Sequence, residues 1–140
     1  MKYIRMKYIR PWSILLALAG AGELHAQESG SIPVRSVPTL DLVRYAGRWY
    51  EVARFPNRFQ AKCARETTAD YTLLADGSIQ VVNTCVRTDG SAIRAEGRAK
   101  LAHKRGSTSQ LKVRFAPAFL SALPMVWGNY WVLDLTDDYS

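Results

Sequence analysis

Few residues in this 140-residue chain have side chains suited to chemistry: two cysteines, Cys63 and Cys85, and two histidines, His25 and His103. His103 is the only histidine past the first quarter of the chain, so a multi-histidine metal site is excluded, and the cysteine pair lacks the close spacing of a zinc knuckle. No metal ligand set and no cofactor motif is therefore read. His103 sits in a Lys- and Gly-rich stretch, and no Gly-x-Ser-x-Gly elbow precedes a helix, so Ser-His-Asp hydrolysis has no frame. Phosphate loops and dinucleotide glycine fingerprints are absent too. Two uses remain for Cys63 and Cys85. An even count in an oxidising compartment makes a disulfide the default, worth roughly 3 kcal/mol by constraining the unfolded chain. Two free thiols would instead leave a nucleophile and open an enzymatic reading.

The compartment is written at the N-terminus. Met-Lys-Tyr-Ile-Arg occurs twice in tandem, placing Lys2, Arg5, Lys7 and Arg10 ahead of an apolar run from Trp12 to Gly22. That run is shorter than the about 20 residues a membrane-spanning helix needs, and Leu24-His25-Ala26 ends on a small residue suited to cleavage. We expect residues 1–26 to be a signal peptide cut after Ala26, with Met1 or Met6 as the start. Residues 27–40, rich in Ser, Gly and Pro, read as a mobile leader, and residues 41–140 as a single small domain. No cysteine follows the apolar run, so no lipid-attachment site is expected. The protein should be exported to the periplasm, with association with the outer membrane left open. Removing Lys2, Arg5, Lys7, Arg10 and Glu23 from 19 basic and 12 acidic residues leaves 15 and 11. Much of this modest positive charge lies at Arg98, Lys100, Lys104, Arg105, Lys112 and Arg114. The cluster reads as a solvated strand face or as weak attraction to anionic headgroups. Export argues against nucleic acid as a partner.

The rest of the chain alternates with period two. Residues 41–46 read as one helical turn opened by Asp41 and closed by Gly47. Strands follow at Thr67–Leu74, Ile79–Arg87, Ile93–Leu101, Gln110–Phe115 and Asn129–Leu135, with tight turns at Asp76-Gly77 and Asp89-Gly90. On the fourth strand of this series, counting one that starts at Trp49, the inward positions are Ile93, Ala95, Gly97, Ala99 and Leu101. Three small residues in succession leave room inside, either for a ligand or for a facing aromatic ring. Residues 116–128 form a loop rich in proline and apolar side chains, either a lip at a cavity mouth or a segment folded over the barrel.

The run Gly47-Arg-Trp-Tyr-Glu-Val-Ala-Arg-Phe-Pro-Asn-Arg-Phe-Gln60 resembles the first signature of the lipocalins and its continuation in bacterial members of the Blc type. Gly47, Trp49 and Tyr50 match the signature itself, and Asp134 to Tyr139 resembles the second, an acidic and aromatic turn at the closed end. The resemblance implies an all-β fold, an up-and-down antiparallel β-barrel preceded by a short helical turn and plugged at its base by Trp49. Only six of the eight strands are counted. The third signature, an arginine beneath the plug tryptophan, has no counterpart in the sequence, which reads as a fragment or a C-terminally truncated product. By strand position the resemblance gives Ala69, Tyr71, Val81, Asn83, Val113, Phe115, Tyr130 and Val132 as ligand-lining residues, with Asn83 and the two tyrosines as polar contacts. It implies a binding protein rather than an enzyme, one that stores or carries a fatty acid or lysophospholipid in the cell envelope. Peripheral contact with membrane lipid stays open. The alternatives are a lipocalin-fold enzyme using a cavity cysteine and an inactive fragment.

Overall fold

The computed structural model describes residues 2–6, 34–103 and 106–140. Most of the expected signal peptide with its cleavage point, residues 27–33 of the expected leader, and Lys104 and Arg105 lie outside the described residues. The elements are β1 (Lys2–Met6), α1 (Leu42–Tyr45), β2 (Gly47–Arg54), β3 (Arg65–Leu73), β4 (Ile79–Val86), β5 (Ala92–Leu101), β6 (Gln110–Arg114) and β7 (Gly128–Trp131). They form one sheet in chain order, with β1 parallel to β2 and every later pair antiparallel. The six antiparallel strands β2 to β7 curl into a half-barrel.

Local chemistry sets the joints. Asp41 caps α1 by accepting from the backbone of Val43 and Arg44 at 2.9 and 3.1 Å, which satisfies two donors that a helix start leaves orphaned. Gly47 follows with φ +109, a conformation open to glycine and costly for any residue with a Cβ. The β3–β4 and β4–β5 turns fall at Asp76-Gly77 and Asp89-Gly90, where each aspartate accepts from the backbone and hydroxyl of the serine two residues on. These short local bonds fix the register, because a one-residue slip would turn every inward side chain outward.

The register stacks the inward residues in rows. Trp49 faces Ala69, Ala69 faces Asn83 and Asn83 faces Ala95; one step lower, Tyr71 faces Val81 and Val81 faces Gly97. The core comprises Leu40, Tyr45, Trp49, Ala69, Tyr71, Ile79, Val81, Ala99, Leu111 and Val132.

Three features differ from the sequence expectation. Residues 34–40 are docked: Val37 donates to the carbonyl of Val132 at 2.9 Å, Leu40 donates to the Thr108 hydroxyl at 2.6 Å, and Leu40 is buried in the core. Ser and Pro content concealed two apolar side chains that cover the closed end. The last strand ends at Trp131 rather than Leu135, because Val132 already takes its partners from Val37 and Ser109 instead of from a neighbouring strand. The seat beneath the tryptophan, expected empty, holds the amino group of Lys2, 5.5 Å from the indole centroid and donating to the carbonyls of Arg44 and Ala46. Lys2 belongs to the stretch read as a signal peptide, so cleavage after Ala26 would vacate that seat.

Candidate functional site

The site is the concave face of the half-barrel, and it changes character from base to mouth. At the base Trp49 is 2 % exposed, and its indole N–H donates to the Tyr45 carbonyl at 2.8 Å. Tyr45 lies 4.7 Å from that ring and 5.2 Å from Tyr71, with Tyr130 beyond. The three phenols share hydrogen bonds: Tyr45 with Tyr130 at 2.7 Å, and Tyr71 donating to Tyr130 at 3.1 Å. Burial holds all three in the neutral form. Desolvation pushes Tyr71 up to about 12 and raises Tyr45 and Tyr130 well above the usual phenol value. From outside, the second-signature turn clamps α1. Tyr139 accepts from the backbone of Asp41 at 2.9 Å, and Arg44 lies over its ring while donating to the Asp137 carbonyl. Asp134 caps the start of that turn through the Leu135 amide.

The expected lining residues divide along this axis. Ala69, Tyr71, Val81 and Val132 are buried in the packed core, and Tyr130 is tied to it through its hydroxyl. Asn83 and Val113 are half-buried on the wall above, and Phe115 is 44 % exposed near the rim. The three small residues of β5 likewise have three fates. Ala99 is buried; Gly97 is covered by Phe115, whose ring would lie 2.7 Å from a Cβ built there; Ala95 is exposed. A facing aromatic therefore fills one of the three vacancies, and the upper one stays open. Beside it the Asn83 carboxamide oxygen is buried and has no partner among the described residues, which is costly for an acceptor cut off from water.

At the mouth is a polar clasp that the strand pattern did not reveal. Glu51, its side chain 3 % exposed, accepts from Arg54 at 2.5 Å and from Gln60 at 2.8 Å. Gln60 in turn accepts from Asn57 at 2.7 Å and donates its backbone N–H to Asn57 at 3.0 Å, while Arg54 also donates to the Cys63 carbonyl and the Thr67 hydroxyl. On a regular strand residues three apart point to opposite faces. Glu51 and Arg54 meet because the pairing of β2 with β3 stops at Tyr50, and a bulge between Arg65 and Thr68, with Glu66 at φ 54, bends the facing strand away. A recess of about 540 Å³ opens against this clasp, lined by Arg54, Pro56, Asn57, Gln60 and Cys63 among others. Cys63 and Cys85 form a disulfide that joins the clasp loop to β4. Both thiols are consumed in it, so neither is available as the nucleophile of the enzymatic alternative. Among the described residues no group of three His, Cys, Asp or Glu side chains could hold a metal ion.

A curled antiparallel sheet, a buried tryptophan at its closed end and a greasy inner wall define a cup-shaped binding fold. The profile of the lipocalin-like domain matches residues 40–140, and the chain belongs to the lipocalin family. It is 45 % identical over 104 residues to temperature-induced lipocalin-1 of Arabidopsis thaliana, covering 74 % of this chain and 55 % of that protein. It is 34 % identical over 129 residues to the outer membrane lipoprotein Blc of Escherichia coli K12, covering 89 % and 68 %. With apolipoprotein D of Rattus norvegicus it shares 33 % over 110 residues, covering 78 % and 52 %. The chain thus spans about half the length of several curated relatives it matches.

Proposed function

We propose that this protein binds and carries a small amphiphile, a fatty acid or a lysophospholipid, within the cell envelope. Membership of the lipocalin family supports small hydrophobic ligands as a class. The observation that carries the finer reading is the unpartnered Asn83 oxygen on the inner wall, beside an exposed Ala95 and above a sealed aromatic base. An acyl chain along Val113, Phe115 and Ala95 would gain about 0.8 kcal/mol per buried methylene. A ligand hydroxyl donated to Asn83 would relieve an orphaned acceptor, which favours a lysophospholipid with a free glycerol hydroxyl over a plain fatty acid. Of the expected lining set, Asn83, Val113 and Phe115 make the contacts in this reading, while Ala69, Tyr71, Val81, Tyr130 and Val132 form the floor.

Export through residues 1–26 would place this activity in the periplasm, and peripheral contact with membrane lipid would bring the cup to its source. The relative named as an outer membrane lipoprotein supports an envelope site. The test is native mass spectrometry of the purified protein, followed by displacement of a fluorescent fatty acid by lysophosphatidylethanolamine and by palmitate. We expect the lysophospholipid to displace better, and Asn83→Leu to abolish that preference while leaving palmitate unchanged. Equal displacement by both lipids in the wild type would overturn the role of Asn83. No displacement by either would overturn the binding function.

A further inference from the structure

The outer wall beside the β6–β7 loop carries a charge arrangement that the inner cup does not use. Arg98 stands directly opposite Arg114, and Lys100 directly opposite Lys112, across β5 and β6. Like charges in facing positions repel. Arg98 reaches Asp76 at 3.3 Å, and among the described residues no carboxylate pairs with Lys100, Lys112 or Arg114. Buried in this cluster, the Arg114 Nε has no acceptor among the described residues.

The adjoining loop has the opposite character. Residues 115–127 include no charged side chain, yet Phe119 is 82 % and Met125 88 % exposed, with Leu123 at 45 %. The loop holds these residues out by construction. Its two 3-10 turns, Ala118–Leu120 and Pro124–Val126, are closed by backbone bonds, and Trp127 donates its indole N–H to the Ser121 carbonyl at 2.8 Å. Trp127 also joins the two features, with Lys100 4.1 Å and Arg114 5.3 Å from its ring. An apolar tip thus rises directly from a cationic wall. Lys112 sits two residues behind Arg114 along the strand, about 7 Å at the usual rise.

We propose that the loop at residues 115–127 inserts into the surface of an anionic bilayer, with Lys100, Lys112 and Arg114 taking lipid phosphates behind it. Charge complementarity selects this occupant. A second copy of the chain would bring its own cationic ladder against the first, whereas anionic lipid supplies the counter-charge the wall lacks. The proposal deepens the membrane contact of the preceding reading, and its test keeps docking separate from loading of the cup.

The purified protein is sedimented with phosphatidylethanolamine vesicles, with and without phosphatidylglycerol. We expect at least tenfold stronger partitioning when phosphatidylglycerol is present, falling off at high salt. The Phe119→Ser, Met125→Ser double variant should lose about tenfold on anionic vesicles, and the Lys100→Gln, Lys112→Gln variant should bind both compositions alike. Circular dichroism checks folding, and Phe119→Ser alone repeats the apolar test at a single exposed position. Fatty-acid displacement without vesicles should be unchanged in these variants, so loss of docking with loading retained supports the proposal. Wild-type protein that docks on anionic vesicles but shows no fatty-acid displacement would support the proposal too and would count against the amphiphile reading. Equal partitioning of wild type into both compositions, or variants that partition as wild type, would overturn it. So would a wild-type dimer, in analytical ultracentrifugation, that the serine variants dissociate and that does not bind vesicles.

Discussion

The base and the mouth of the half-barrel are built from the same strands and differ in almost every physical respect. At the base, an indole, three phenols and aliphatic side chains fill the space, and each of the three phenolic hydroxyls is bonded to another. At the mouth a buried carboxylate is held in a polar clasp, an amide oxygen lacks a partner among the described residues, and aromatic and methionine side chains stand in solvent. A close-packed region stabilises but offers a guest nothing, since a guest needs room and unmet bonding capacity. The difference teaches that stability and recognition have been separated along the barrel axis. Substitutions at the two ends should therefore fail in different ways.

The sharpest challenge to that separation is Trp49→Ala. Losing a side chain this deeply buried should lower stability by about 3–5 kcal/mol, read by urea denaturation; a loss below ~1 kcal/mol would mean that the base is not the anchor. Joint replacement of Cys63 and Cys85 by serine should follow at roughly 3 kcal/mol, since the cross-link constrains the unfolded chain. Denaturation with and without reductant should show the same gap in the wild type alone. Gly97→Val sits at the boundary between the regions. Its new side chain would crowd the Arg114 carbonyl and the Phe115 ring, so about 1–3 kcal/mol of stability should go together with fatty-acid affinity. Unchanged affinity would move the ligand away from Phe115. Glu51→Gln should cost less, about 1–2 kcal/mol, by weakening the charge-assisted bond from Arg54, and should raise proteolysis of the loop at residues 55–64 without loosening the base.

The smallest effect expected is a pH dependence confined to the base. The folded-state values of Tyr45, Tyr71 and Tyr130 are raised by burial, so the stability from their neutral forms is complete below pH about 10, where unfolded tyrosine titrates. It should decline as pH rises from there through about 12, the folded value of Tyr71. Phenolate absorbance should appear together with loss of near-ultraviolet dichroism, whereas titration before unfolding would place the phenols in contact with water.

The hairpins were legible because their causes are local. Asp76-Gly77 and Asp89-Gly90 carry their turn geometry within a few residues, and the alternation of β3, β4 and β5 reports which face is inward whatever the partner. The role of Trp49 was legible through its motif. The clasp was not, since period-two reasoning places Glu51 and Arg54 on opposite faces; only the early end of β2 pairing and the bulge in β3 bring them together. Nor could the pattern say which small inward residue of β5 stays open, because that depends on where Phe115 of another strand falls. The docking of Val37 and Leu40 was hidden for the same reason, their partners lying about seventy residues or more further on.

The sequence by itself determined the antiparallel strands from β2 onward, their turns and their inward faces, all set by chain-local sterics and periodicity, while the aromatic plug was marked by its resemblance to a family motif. Tertiary structure alone decided which inward positions are packed and which are vacant, which polar groups find partners, and where Lys2 and residues 34–40 come to rest. Those outcomes depend on distances between residues far apart in the chain, and only closure of the sheet fixes such distances.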